Sequence, residues 1–154
     1  MINNKKVLVN ILARAGSTGV PDKNIADVGG RPVLWYSVSE ALKSKYADAV
    51  CVSTDSPKYA LIAEKAGVEV PFLRDDKYST KESTAGDASR WTTLKYEEYS
   101  NERYDYIVDF MNSNPFKLVE DLDRCIEILD KKECDTVVAV TRVWDGHPDR
   151  IKQI

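Results

Sequence analysis

Short apolar runs alternating with stretches of helical periodicity constrain this chain more than any other feature. Val7 to Ala13 (VLVNILA), Ala49 to Val52 (AVCV), Tyr106 to Met111 (YIVDFM) and Thr136 to Thr141 (TVVAVT) are compact and rich in β-branched residues. That is the pattern of strands buried on both faces. Val68 to Val70 reads as a further short strand. Between the runs, Pro32 opens a helix whose Val33, Leu34, Tyr36, Val38, Ala41 and Leu42 form an apolar stripe. Ser56, an N-cap residue type, precedes a helix beginning at Pro57 and stopped by Gly67. Asp87 to Tyr99 and Glu120 to Leu129 read as two more helices. Strands alternating with helices predict an α/β fold with a mostly parallel sheet and helices on both faces. No repeat, linker or low-complexity tract interrupts the pattern, so one domain over residues 1–154 is expected.

In such folds ligands sit at the carboxyl ends of the strands. Three polar loops leave those ends, at 14–24, 53–56 and 112–117, and a shared cleft is the natural expectation. Residues 71–85 form a long polar stretch with little periodicity, of the kind that is often functional. Charge narrows the choice of ligand. Lys and Arg total 22 against 25 Asp and Glu, a net charge of −3, which argues against a chain built to coat nucleic acid. No run approaches the ~20 apolar residues of a membrane span. Cys51, Cys125 and Cys134 are odd in number and match no metal spacing. They are expected to be reduced structural thiols in a cytoplasmic protein.

The loop after the first strand carries the chemistry. It reads Arg14-Ala15-Gly16-Ser17-Thr18-Gly19-Val20-Pro21-Asp22-Lys23-Asn24. Gly16 and Gly19 let backbone N–H groups approach a phosphate, Ser17 and Thr18 add hydroxyl donors, and Arg14 and Lys23 bring two positive charges to one turn. Arg can grip phosphate through two parallel hydrogen bonds, while Lys acts as a point charge. Neither the P-loop spacing nor the three-glycine dinucleotide spacing is present.

This segment resembles the signature of acylneuraminate cytidylyltransferases, R-G-G-S-K-G-x-P-x-K-N, matching it at Arg14, Gly16, Ser17, Gly19, Pro21, Lys23 and Asn24. Further similarities follow in order: Gly30-Arg31-Pro32-Val33, Val52-Ser53-Thr54-Asp55, Val70-Pro71-Phe72-Leu73-Arg74, the strand and loop from Tyr106 to Lys117, and His147-Pro148. The resemblance implies a Rossmann-like nucleotidyltransferase fold. It also implies transfer of CMP from CTP to a sialic-acid-like nonulosonic sugar acid, with release of pyrophosphate. In that picture Arg14, Ser17 and Lys23 hold the triphosphate, and Arg14 and Lys23 offset the charge that develops as pyrophosphate leaves. Asn24 and Arg74 help bind the nucleoside, with Ala13 against the base through its backbone. Mg²⁺ bridges phosphate oxygens. Ser113, Asn114 and Lys117 face the sugar, and Lys117 attracts its carboxylate. Asp109, inside a strand, is an inward carboxylate in need of a partner or a weak metal candidate. Asp55 is expected to serve structure, as a helix cap, more than the cleft. His147, Trp91 and Trp144 are assigned to structure at least as readily as to ligand.

The chain departs from the pattern at Thr18, where the family has Lys, and at Asp22, where an Arg is common. Met111, Asn112 and Ser113 replace Gln, Pro and Thr. Family members continue beyond the His-Pro segment into a homodimerisation arm and an acidic metal ligand. The resemblance therefore implies a chain incomplete at its C-terminus and weakly active or inactive. Two other readings stay open: a nucleotidyltransferase for another sugar acid or NTP, and a non-catalytic nucleotide- or partner-binding module.

Overall fold

A computed structural model describes residues 1–16, 19–132 and 134–140. Three strands, β1 (Val7–Leu12), β4 (Ala49–Ser53) and β5 (Tyr106–Asp109), form a parallel sheet in the order β4-β1-β5. β1 lies in the middle, paired from Leu8↔Ala49 to Leu12↔Ser53 on one side and from Val7↔Tyr106 to Asn10↔Asp109 on the other. A two-residue hairpin precedes the first helix: β2 (Asp27–Val28) and β3 (Arg31–Pro32) are antiparallel. Its turn residues Gly29 and Gly30 have φ of 61° and 87°, the left-handed backbone that favours glycine in such turns.

Four helices cover the sheet: α1 (Val33–Ala41), α2 (Pro57–Lys65), α3 (Ala85–Ser100) and α4 (Val119–Lys132). The period-2 alternation of β1 divides them. Val7, Val9 and Ile11, all fully buried, pack in one cluster with Leu34 and Val38 of α1, Tyr59 and Ala63 of α2, and Leu122 and Ile126 of α4. Asn10, on the opposite face, donates from Nδ2 to Ser89 Oγ at 3.3 Å and Thr93 Oγ1 at 3.0 Å on α3. Thr92 of α3 likewise donates to Ser53 Oγ at 2.6 Å. The expected three layers are present.

Two expected strands are not. Residues 68–70 take no strand. Within the run 136–141, residues 136–140 take none either, and Val138 and Val140 are 72% and 88% exposed. An apolar run becomes a strand only where a neighbouring edge supplies hydrogen bonds, and these residues have no ladder partner among the described ones. The outer edge of β5 has no partner among the described residues, and Ile107 is 38% exposed. All three cysteines are free, and burial pushes the Cys51 thiol up to about 12, which makes it inert. Cys134 is exposed, so the structural assignment does not extend to it.

Candidate functional site

A cavity of about 440 Å³ opens at the carboxyl ends of β1 and β5. The segment after β1 gives it Leu12, Arg14, Gly19, Val20, Lys23 and Asn24. The stretch leading into α3 gives Arg74, Tyr78, Lys81, Ser83 and Thr84. The loop after β5 gives Met111, Asn112 and Ser113. The 53–56 loop, expected to share the cleft, does not line it and acts as its support. The Ser53 carbonyl accepts from Ala13 N–H at 2.9 Å, the Thr54 carbonyl accepts from Arg74 N–H at 2.8 Å, and Asp55 Oδ1 accepts from Ala15 N–H at 2.8 Å. One loop thus fixes the backbones of both cation-bearing segments. Asp55 serves structure, as expected, but by tying two loops together. Ser56 occupies the N-cap position of α2 without a side-chain capping bond.

The opening segment is pinned from within as well. Asn24, 6% exposed, donates from Nδ2 to the Arg14 carbonyl at 2.9 Å, and Asn112, 2% exposed, donates to the Asn24 carbonyl at 3.3 Å. The Asn24 amide nitrogen is therefore engaged in holding Arg14. The Arg14 guanidinium donates from Nη1 to the Thr80 carbonyl, fastening the loop before α3 across the cavity. Asp22, expected to add an anion to the phosphate loop, is outside the lining. In left-handed backbone (φ 52°), it accepts from Lys58 Nζ at 3.0 Å and Tyr59 Oη at 2.9 Å on α2. These two hydrogen bonds hold its carboxyl below the usual range.

The electrostatics of the cavity are one-sided. Arg14, Lys23, Arg74 and Lys81 line it, and no Asp or Glu among the described residues does. None of the four forms an ion pair among the described residues. Arg74 is 4% exposed, and its Nε donates to Ser79 Oγ at 3.1 Å, while its terminal nitrogens have no partner among the described residues. Burial lowers its pKa, Asp55 opposes this and Arg14 adds to it; guanidinium stays charged regardless. A buried cation with free donors is costly unless an anion completes it. Four cations with no ion pair among the described residues, around a cavity whose described lining holds no acid, are arranged to receive a polyanion in a chain of net charge −3.

Of the residues singled out in the sequence, Arg14, Gly19, Lys23, Asn24, Arg74 and Ser113 meet at this cavity. Ser17, Thr18, Trp144 and His147 lie outside the described residues. Ala13 is fully buried in the core between two lining residues, and Gly16 is not part of the lining and has open space where a Cβ would stand. Asn114 accepts from Phe116 N–H at 3.1 Å and shapes its own turn. Lys117 folds away: its amine donates to the Met111 carbonyl and sits 3.7 Å from the Phe110 ring centroid, and burial lowers its pKa to about 8. Asp109 is exposed rather than inward, because β5 is an edge strand of the described sheet, and it accepts from Ser89 Oγ. No group of three or more His, Cys, Asp or Glu able to hold a metal occurs among the described residues. Trp91 packs on Phe72 and Tyr78, with ring centroids 5.6 Å apart in each pair, in keeping with a structural role. The sequence reading missed Lys81, Tyr78, Ser83 and Thr84, and named Asn112 only as part of the loop 112–117 expected at the cleft. The polar stretch 71–85 was a signal for the first four, but nothing in it says which of Lys77 and Lys81 turns inward.

A parallel sheet flanked by helices, with a cationic cavity at its carboxyl edge, defines an α/β domain of the kind that binds anionic ligands at that edge. The chain belongs to the cytidylyltransferase family, whose sequence model matches residues 8–147. Among its relatives are the post-translational flagellin modification protein B of Campylobacter coli, 31% identical over 86% of this chain and 57% of that protein. Another is the CMP-N,N'-diacetyllegionaminic acid synthase of Campylobacter jejuni, 32% identical over 71% of this chain and 47% of that protein. The chain thus spans about half the length of the curated relatives it matches. The fold is shared with the solved CMP:2-keto-3-deoxy-manno-octonic acid synthetase, with a TM-score of 0.68 at 19% identity over 83% of this chain and 48% of that one. The sheet topology and these likenesses make the fold Rossmann-like. No helix among the described residues is long and apolar enough to cross a membrane.

Proposed function

We propose that this chain is the nucleotide-binding part of an enzyme that transfers CMP from CTP to a nonulosonic sugar acid and releases pyrophosphate. The observation that carries the reading is a cavity lined by four cations and, among the described residues, by no acid, in a member of the cytidylyltransferase family. The Campylobacter jejuni relative's name supports the sugar-acid class of acceptor.

In this reading Arg14 and Lys23 hold the triphosphate and offset the charge that grows on the leaving pyrophosphate, with Ser17 and the loop amides beside them. Such stabilisation by groups already in place is the usual source of catalysis in phosphoryl transfer. Arg74 completes its donor set on the nucleotide, and Ser113 faces the acceptor. The lining offers no carboxylate, so the residues described do not fit a protein-held Mg²⁺. Mg²⁺ would reach this site with the nucleotide and supply charge neutralisation there. Lys117 is not assigned to the acceptor, because its amine is turned onto Phe110. We place the enzyme in the cytoplasm, where CTP is made, with a second copy of the chain as its partner. The test is pyrophosphate release from CTP and Mg²⁺ with a panel of nonulosonic and related sugar acids. Turnover with one of them supports the reading. CTP binding without turnover for any acceptor favours the non-catalytic nucleotide-binding module.

A further inference from the structure

The opening loop lacks two cations that its resemblance leads one to expect, since Thr18 and Asp22 stand at those positions. Asp22 is moreover committed to α2 through Lys58 and Tyr59. The segment before α3 carries a cation that the first loop does not. Thr80 Oγ1 and Ser83 Oγ are 3.0 Å apart, Ser83 N–H donates to Thr80 Oγ1 at 3.2 Å, and Ser83 Oγ donates to the Lys77 carbonyl at 2.6 Å. This hoop fixes the backbone around Lys81. Arg14, donating to the Thr80 carbonyl, ties the hoop to the first loop. Lys81 lines the cavity and forms no ion pair among the described residues. Its neighbour Glu82 is outside the lining; its own backbone, the Thr80 hydroxyl and the charge of Arg14 keep its carboxyl below the usual value.

We propose that Lys81, on the segment the Arg14 guanidinium reaches, adds a further cation to the group that binds the phosphate tail of the nucleotide, and so sets a preference for nucleoside triphosphates over monophosphates. The assignment rests on the nucleotide reading above. An ammonium on a flexible stem acts as a point charge, and its pull grows with the charge of the tail it faces. Arg14, Lys23 and Lys81 together offer a triphosphate more charge to meet than a monophosphate can engage.

The experiment is calorimetric titration of wild type, Lys81→Ala and Lys81→Arg with CTP and with CMP. Lys81 is exposed, so neither substitution disturbs the core. The expected result is a loss of CTP affinity of about tenfold in Lys81→Ala, the scale of one charge-assisted contact, with CMP affinity changed by less than about twofold. Lys81→Arg keeps most of the CTP affinity. Tight CTP binding that Lys81→Ala leaves unchanged, or weakens equally for CMP, overturns this assignment alone. A wild-type chain that binds no CTP overturns the nucleotide reading together with it.

Discussion

The two flanks of β1 are built to different standards. On the β4 side, Cys51, Val52 and Ser53 are buried to 1% exposure or less, and the loop that follows fastens the backbones of Ala13, Ala15 and Arg74. On the β5 side the strand has no outer partner among the described residues, Ile107 is 38% exposed, and Phe116 and Leu118 beyond it are 78% and 58% exposed. The cavity lies between these flanks and takes its cations from segments anchored on the sealed one. A cation held by rigid neighbours loses little entropy when it meets a phosphate. The exposed flank contributes Met111 and Ser113, while buried Asn112 reaches across to steady Asn24.

The sharpest way to break this contrast is to cut into each flank equally. Val52→Ala removes a fully buried side chain of β4 and should cost about 2–3 kcal/mol in urea unfolding. Ile107→Ala, on β5, should cost less than about 1 kcal/mol. Similar losses at the two positions would erase the distinction. Arg74→Met tests whether the sealed flank serves binding more than stability. CTP affinity should fall by roughly 2 kcal/mol, since a buried charge-assisted donor set is lost. The unliganded protein should hold or gain stability, because an unpaired buried charge is gone. Tyr59→Phe removes one of the two bonds holding Asp22 and should lower stability by about 1 kcal/mol, read as a shift of the unfolding midpoint.

The smallest effect belongs to Lys117 on the exposed flank, whose pKa falls to about 8 on burial. At neutral pH it is charged in both states, and the desolvation cost is fully present. As pH rises above about 8 the folded state sheds the proton first. The unfolded state then binds more protons, and stability increases until lysine titrates in the unfolded chain as well. Lys117→Met should flatten that rise and stabilise the protein at pH 7 by about 1 kcal/mol, less than the whole shift because water still reaches the side chain.

Sequence periodicity was most informative where burial is complete. β1, β4, α1 and α2 are close to their expected positions because a continuous apolar run or a proline at a helix start has few other meanings. The hairpin at 27–32 was missed although Gly29-Gly30 is a hairpin turn signal, because strands of two residues show no periodicity. The TVVAVT run looked as persuasive as VLVNILA, yet residues 136–140 form no strand, since ladder pairing depends on a neighbour that local sequence does not reveal. Within the site, Arg14, Lys23 and Arg74 could be read from the ordered motifs. Lys81 could not, because its direction is set by the Thr80–Ser83 hoop and by Arg14 reaching across. Lys117 was assigned to a ligand from its charge, but its aliphatic stem and amine fold onto Phe110, an outcome of packing.

The most direct test of the central claim is calorimetric titration of the chain with CTP, with cytidine, and with CTP in the presence of inorganic pyrophosphate. Cations around a cavity whose described lining holds no acid should bind CTP far more tightly than cytidine, and pyrophosphate should compete for the same groups and weaken apparent CTP affinity. Equal affinity for CTP and cytidine, with no effect of pyrophosphate, would contradict the account.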